Sequence, residues 1–148
     1  KALGVAVAST RTSNDLTSSG TFKDDGVGVS YDFGVLRASA AWRRFSQNAS
    51  RQTNLLLGAW VPLGSGELKL SYNRVDLSGK VGTASVDAND ARQLGLGYVH
   101  SLSKRSALYT SVSKISNRGA ASYAVPGGPG MLAGRSSTGV EFGVRHNF

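Results

Sequence analysis

The residue types that most often perform chemistry are scarce in this chain and lie far apart. Its 148 residues contain no cysteine and only two histidines, His100 and His146. Disulfides, thiolate metal sites and cysteine nucleophiles are therefore excluded. Neither histidine has an Asp, Glu or Cys at the spacing of a metal site or a general base, and the chain lacks a Gly-x-Ser-x-Gly elbow, a phosphate loop and a His-Glu-x-x-His motif. We expect no catalytic residue, no metal site, no cofactor and no enzymatic activity.

Basic side chains are the one titratable class in excess. Lys and Arg number 17 against 9 Asp and Glu, which gives a formal net charge of +8. An excess of this kind is typical of nucleic-acid-binding proteins. Here, however, the basic residues are dispersed over the whole chain and form no stripe interleaved with stacking aromatic residues, so we expect no nucleic-acid partner. What these charges do depends on the elements that position them.

Those elements are predicted to be strands. No window of a dozen residues keeps the apolar stripe of an amphipathic helix, whereas apolar and polar residues alternate with period two through much of the chain. In Thr53–Leu63, for example, Leu55, Leu57 and Ala59 share one face. The alternation predicts eight strands, over Ala2–Ser9, Asp25–Phe33, Val35–Arg44, Thr53–Leu63, Glu67–Asp76, Gln93–Leu102, Ser106–Asn117 and Gly139–Phe148. In the seventh strand two phases compete, so the face that carries Lys114 is left open.

The connections predict how the strands are arranged. Tight turns rich in turn formers are expected at Phe33-Gly34, Gly64–Gly66 and Ser103–Arg105. Longer polar connections are expected over Thr10–Asp24, Ser46–Gln52, Leu77–Asp90 and Arg118–Arg135. Because short and long connections alternate, all tight turns lie at one end of an antiparallel up-and-down sheet. No Pro/Ser-rich linker divides the chain, so residues 1–148 are predicted to form one domain.

Such a sheet is compatible with two environments, water or lipid around the outside of a barrel. In a soluble barrel the apolar face turns inward, whereas in an outer-membrane barrel it contacts lipid and the polar face lines the lumen. Three observations favour lipid outside. The polar face is mostly Gly, Ser and Ala, several strands have the ~9–11 residues that cross a bilayer, and tight turns and long loops lie at opposite ends. A soluble β-barrel binding module is the less favoured alternative.

The alternation also assigns the charged residues to the two faces. Four basic residues and one clear acid fall on the polar face: Arg37, Arg43, Lys69, Arg145 and Glu141. We interpret them as a basic channel wall that concentrates anions; the alternative is that they pair with acids elsewhere. Three arginines fall on the apolar face at the long-loop ends of their strands: Arg44, Arg74 and Arg92. They are placed to contact lipopolysaccharide phosphates at the outer leaflet, or to snorkel without a specific partner.

Aromatic residues gather near the tight-turn ends, as an interfacial girdle would. They are Tyr31, Phe33, Tyr98, Tyr109 and Phe148. Trp60 is out of phase with the apolar face, and the sequence offers no role for it.

The terminal segment adds a more specific signal. Every second residue from Val140 to the end of the chain shares one face of the predicted strand: Val140, Phe142, Val144, His146 and Phe148. This pattern resembles the C-terminal assembly signal that the barrel assembly machinery of Gram-negative bacteria recognises. With Gly97–Arg105 and Ala107–Tyr109, the chain resembles the Gram-negative porin family, and in particular the anion-selective porins of betaproteobacteria.

The resemblance implies a passive-diffusion channel for small hydrophilic solutes, preferably anions, in an outer-membrane homotrimer that binds lipopolysaccharide or calcium at its surface. It also implies a barrel of sixteen strands, and the eight strands here match the last eight. We therefore expect the C-terminal half of a porin barrel, with the family's acidic inward-folded loop and its arginine ladder in the other half. The alternative is a complete eight-stranded barrel with a structural or adhesive role, although its many inner glycines would fill the interior poorly.

Overall fold

The computed structural model describes residues 1–13 and 20–148. Within them the strands are β1 (Leu3–Thr12), β2 (Phe22–Asp32), β3 (Arg37–Gln47), β4 (Ser50–Leu63), β5 (Gly66–Val81), β6 (Ala84–Ser85), β7 (Ala91–Ser101), β8 (Ser106–Asn117) and β9 (Ser136–His146). They form one sheet in the order β1-β2-β3-β4-β5-β7-β8-β9, all antiparallel, with β6 paired to β5. The predicted all-β, antiparallel up-and-down architecture is confirmed. The connection expected over Thr10–Asp24 falls partly on residues 14–19, which lie outside the described residues.

The long strands extend farther toward the long connections than the alternation predicts. β5 continues to Val81 and folds back into β6. The prediction of a loop from Leu77 is wrong here, because backbone pairing with β4 continues to Gly79. Asp87 caps this hairpin by accepting hydrogen bonds from the Gly79 N–H at 2.8 Å and the Ser85 hydroxyl at 3.1 Å. These two bonds hold the pKa of Asp87 below its ordinary value.

The connection between β3 and β4 also differs from the prediction. It is a tight turn at Asn48-Ala49, so the longer connection expected over Ser46–Gln52 is wrong, and with it the strict alternation of short and long connections. Asn48 adopts a left-handed φ of 52°, a conformation that Asn tolerates better than most residues. The Ser50 hydroxyl closes the turn by donating to the Gln47 carbonyl at 3.0 Å.

The strand register gives the sheet two faces of opposite composition. One cross-strand row is apolar from edge to edge: Leu3, Tyr31, Ala38, Ala59, Leu70, Leu96, Val112 and Val140. The adjacent row on the other side of the sheet contains only Gly and Ser: Gly4, Ser30, Ser39, Gly58, Ser71, Gly95, Ser113 and Gly139. We call the two sides the apolar face and the polar face. Because Lys114 pairs with Leu94, the register places Lys114 on the apolar face.

Nothing in the described part of the chain covers the apolar face. Val7 and Phe142 are 77% and 78% exposed, and most other large apolar side chains of this face are exposed as well. An uncovered apolar surface of this extent would drive aggregation in water, so the fold favours lipid as its surroundings. Across residues 1–13 and 20–148, no helix has the length and apolarity to cross a membrane.

Four of the five buried apolar residues lie where the connection between β8 and β9 meets the polar face; the fifth, Ala107, lies at the other end of β8. We call this connection, residues 118–135, the lobe. Ala121 and Val125 of the lobe are buried together with Ala91 and Ile115 of the sheet. Val125 packs so closely on Gly139 that a Cβ there would lie 3.0 Å from it. Most of the small core of the described residues is thus the contact between the lobe and the polar face.

Asn117, buried at the end of β8, fixes the lobe in place. Its side-chain amide donates to the carbonyls of Tyr123 at 2.8 Å and Arg135 at 2.7 Å, and accepts from the Tyr123 N–H at 3.0 Å. The Val125 N–H donates to the Ser137 hydroxyl at 3.3 Å. The connection is long and irregular, as expected, but it is packed against the sheet.

Candidate functional site

The polar face carries all the residues predicted for the channel wall. Arg37, Trp60 and Lys69 occupy one row across β3, β4 and β5. Glu141 lies farther along the same row on β9, after Gly97 and Ser111. Two further predicted residues, Arg43 and Arg145, lie on the same face near opposite ends of their strands. The register therefore brings the predicted wall residues to one side of the sheet.

Three more acids share that side: Asp24, Asp32 and Glu67. The prediction of Glu141 as the one clear acid is wrong, because these residues lie near strand ends, where the alternation is hard to follow. Each is within salt-bridge distance of a predicted wall cation. The pairs are Arg43–Asp24, Arg37–Asp32 at 3.5 Å and Lys69–Glu67 at 2.7 Å.

Arg43 and Arg145 represent the two extremes of this pairing. Arg43 holds Asp24 in a bidentate contact, with its Nε 2.9 Å from one carboxylate oxygen and its terminal nitrogen 2.5 Å from the other. Its guanidinium also lies 4.6 Å from the centroid of the Phe45 ring. Arg145, in contrast, has no carboxylate within salt-bridge distance among the described residues. Of the predicted wall cations, Arg145 is the one that forms no salt bridge within the described residues.

Trp60, which the sequence leaves without a role, belongs to this polar network. Its indole Nε1–H donates to Glu67 at 2.9 Å, and the guanidinium of Arg37 lies 5.5 Å from the centroid of its ring. The ring therefore links a cation on β3 to a carboxylate on β5 through a cation–π contact and a hydrogen bond. The sequence signal was present, because Trp60 has the phase of the polar face.

Tyr109 also lies on the polar face, so its predicted place in the interfacial girdle is wrong. It pairs with Gly143, and its ring covers that glycine so closely that a Cβ would collide with it. Its hydroxyl donates to Glu141 at 3.2 Å, and the Ser111 hydroxyl donates to the same carboxylate at 3.4 Å. Glu141 is thus held by two hydroxyl groups rather than by a cation.

The apolar face carries its own group of basic residues at the end of the long connections. Arg44, Arg74 and Arg92 lie there as predicted, and four more share the face: Arg11, Lys23, Arg51 and Lys114. We call these seven residues the basic rim. Arg11, Lys23 and Arg51 were not predicted, because they lie just outside the bounds that the alternation gives for their strands.

Two acids offset part of the charge of the basic rim. Asp25 contacts Arg11 and Asp76 contacts Arg74, each at 2.8 Å. Arg44 instead stacks on the indole of Trp42, with its guanidinium 4.8 Å from the ring centroid. The register also sets Arg74 directly opposite Arg92.

The terminal strand presents the predicted assembly residues on the apolar face. Val140, Phe142 and Val144 are exposed there. β9 ends at His146 rather than at the predicted Phe148. The Nδ1 of His146 lies 2.9 Å from the Ser106 hydroxyl, and its ring contacts Phe148 edge to face.

The two histidines lie in different surroundings. His100 lies 3.3 Å from the Tyr98 hydroxyl, whereas His146 contacts Ser106. The part of the chain that the structure describes contains no group of three or more His, Cys, Asp or Glu side chains able to hold a metal ion.

Two comparisons with known proteins show which proteins this chain is similar to. The family of Gram-negative porins matches residues 1–120. Outer membrane porin protein 32 of Delftia acidovorans is 36% identical over 132 residues, an alignment that covers 82% of this chain and 36% of the relative. The chain thus spans about a third of the length of that protein.

Proposed function

The chain belongs to the Gram-negative porin family, whose members are outer-membrane proteins, and on this premise we propose that it lines a water-filled channel for the passive diffusion of small hydrophilic solutes. The observation that carries the proposal is the two-sided sheet. Its apolar face is uncovered, as a lipid-facing surface requires. Its polar face carries a full row of Gly and Ser, which leaves room for water, beside charged side chains. The proposed activity involves no catalytic step and no cofactor.

We further propose that the eight long strands form the C-terminal half of a sixteen-stranded barrel, as one domain over residues 1–148. The sheet order begins at β1 and ends at β9, and among the described residues these two strands do not pair with each other. A closed eight-stranded barrel would need that pairing, so the non-channel alternative loses support. The similarity to a relative of greater length also supports a larger barrel.

The proposed preference for anions rests mainly on cations that lack acidic partners. Arg145 is such a residue, and it borders a concavity of about 380 Å³ that Lys104 and Arg105 also line. None of the residues that line this concavity is acidic. Positive charge at the tight-turn end of the polar face raises the local concentration of anions. The paired cations Arg37, Arg43 and Lys69 contribute less, because each is offset by a neighbouring carboxylate.

The basic rim is proposed to contact lipopolysaccharide phosphates. Like charges directly opposite on neighbouring strands repel each other, and Asp76 offsets only one charge of the opposed pair Arg74 and Arg92. Arg92, which forms no salt bridge within the described residues, would donate bidentate hydrogen bonds to a phosphate, while Arg74 is shared with Asp76. The resemblance to porins further supports a homotrimer. The alternate apolar residues of the last strand, from Val140 to Phe148, support insertion by the barrel assembly machinery.

The full-length porin that contains this chain, reconstituted in a planar lipid bilayer, tests the proposed function. We expect stepwise conductance in KCl and a reversal potential, under a salt gradient, of the sign that anion permeation produces. The concentrations of calcium and lipopolysaccharide are the same in all measurements. Absence of conductance would overturn the channel function, whereas conductance with a cation-type reversal potential would overturn only the anion preference.

A further inference from the structure

We propose that a cavity on the polar face, between Lys69 and Arg145, is a binding site for small carboxylates with an apolar body, of which aromatic monocarboxylates are the best-fitting class. The inference rests on the proposed channel function and deepens it by naming a solute class. The cavity has a volume of about 300 Å³ and lies across β5, β7, β8 and β9. A volume of this size accommodates a ligand with one ring.

The charges at the cavity suit a carboxylate. Lys69 and Arg145 are its two charged lining residues, and they approach it from β5 and β9. Arg145 has no described carboxylate within salt-bridge distance, so its planar guanidinium is free to donate two parallel hydrogen bonds to a carboxylate. Lys69 is shared with Glu67. Arg145 is therefore the principal anchor and Lys69 the second donor.

The nearby acids do not occupy the cavity. Glu67 and Glu141 share the polar face but neither lines the cavity. Glu67 already accepts from the indole of Trp60, and the Glu141 carboxylate accepts from the hydroxyls of Tyr109 and Ser111. Both carboxylates thus border the cavity through residues that line it, Lys69 for Glu67 and the two hydroxyls for Glu141, and these contacts offset part of their negative charge.

The rest of the lining is suited to an apolar ring. The lining includes Gly97, which has no side chain, together with Val99, Ala107 and Tyr109. The ring of Tyr109 is fixed over Gly143, so this wall is formed before a ligand arrives. A carboxylate that carries a ring would bury apolar surface here, whereas chloride or acetate would gain mainly the attraction of the charges.

Benzoate is the probe that tests the site, with the full-length porin in a planar bilayer and chloride as the current carrier. We expect benzoate to reduce the chloride current saturably, while benzamide, its neutral isostere, and acetate have little effect. R145Q is expected to raise the half-blocking benzoate concentration about tenfold, and R145K, which keeps the charge but not the bidentate geometry, to raise it less. K80Q, a charge-matched control at the far end of β5 from Lys69, is expected to leave it unchanged.

The outcomes separate the site from the channel. No conductance in the wild-type porin would overturn the channel function and the site with it. Normal conductance with no saturable effect of benzoate, an equal effect of benzamide, or an unchanged half-blocking concentration in R145Q would overturn the site alone. Conductance of R145Q in chloride shows that the variant is folded and inserted, so a loss of the benzoate effect in that variant supports the site.

Discussion

Whether a wall cation affects permeating ions depends on the charge beside it. Arg43 is bound to Asp24 through two hydrogen bonds, whereas Arg145 has no described acidic partner. A unit charge about 10 Å from an ion in mixed water and protein contributes roughly 1 kcal/mol or less, and salt weakens it further. Removing a neutral pair therefore changes the potential along the wall little, while removing a lone cation lowers it.

This difference predicts the behaviour of two variants. R145Q in the full-length porin should lower the anion-to-cation permeability ratio by a factor of roughly two to three at low salt, and less in molar salt. The double variant D24N/R43Q, which removes one charge of each sign, should leave the ratio nearly unchanged. Reversal potentials in a KCl gradient measure both. A larger shift in the double variant than in R145Q would contradict the pairing seen in the structure.

At the scale of elements, the lobe depends strongly on one buried side chain of the sheet. Asn117 makes three hydrogen bonds to it, each worth about 1 kcal/mol when both partners are satisfied. N117A should loosen the lobe, so that the backbone at the exposed residues Arg118 and Arg135 enters the active site of trypsin more readily. Limited proteolysis of the reconstituted porin measures this, with S122A as the control because Ser122 is exposed on the lobe. Equal trypsin resistance in N117A and the wild type would contradict the role of Asn117.

The end of the terminal strand is predicted to be needed for insertion into the outer membrane. Deletion of Phe148, or F148D, should greatly reduce outer-membrane insertion while leaving synthesis unaffected, because it removes the last member of the apolar phase that begins at Val140. F148Y keeps an aromatic ring and serves as the control. Immunoblots of isolated outer membranes against whole cells measure the inserted fraction. Normal insertion of the deletion variant would count against an assembly signal at this end.

The sequence was sufficient to predict the eight long strands and the faces of all of them except β8, because period-two alternation determines both and only β8 mixes two phases. The sequence was not sufficient to predict side-chain contacts between residues on different strands, because no short sequence pattern connects them. The pairing of Arg43 with Asp24 depends on the register of two strands, and the role of Trp60 depends on Glu67 on the next strand. The tight turn at Asn48-Ala49 lacks the glycine that marks most hairpins, and the lobe has no periodicity to predict where it packs.

At the scale of the whole molecule, the sheet has two edges that the described residues leave unpaired, β1 and β9. Backbone groups at such edges cannot be satisfied in hydrocarbon. The 148-residue chain expressed alone should therefore aggregate, or need the remainder of a larger barrel. Size-exclusion chromatography and heat-modifiability on gels measure this. A monodisperse, heat-resistant barrel in detergent would favour the eight-stranded alternative.

If the polar face contacts water and the apolar face contacts lipid, cysteines placed on the two faces will differ in their accessibility to a water-soluble reagent. The chain contains no cysteine, so S71C and S113C on the polar face can be compared with L70C and L96C on the apolar face in an otherwise cysteine-free porin. A charged, membrane-impermeant methanethiosulfonate reagent is applied to the assembled protein in outer membranes. We expect rapid modification of S71C and S113C and little modification of L70C and L96C; the reverse pattern would show that the two faces are assigned the wrong way round.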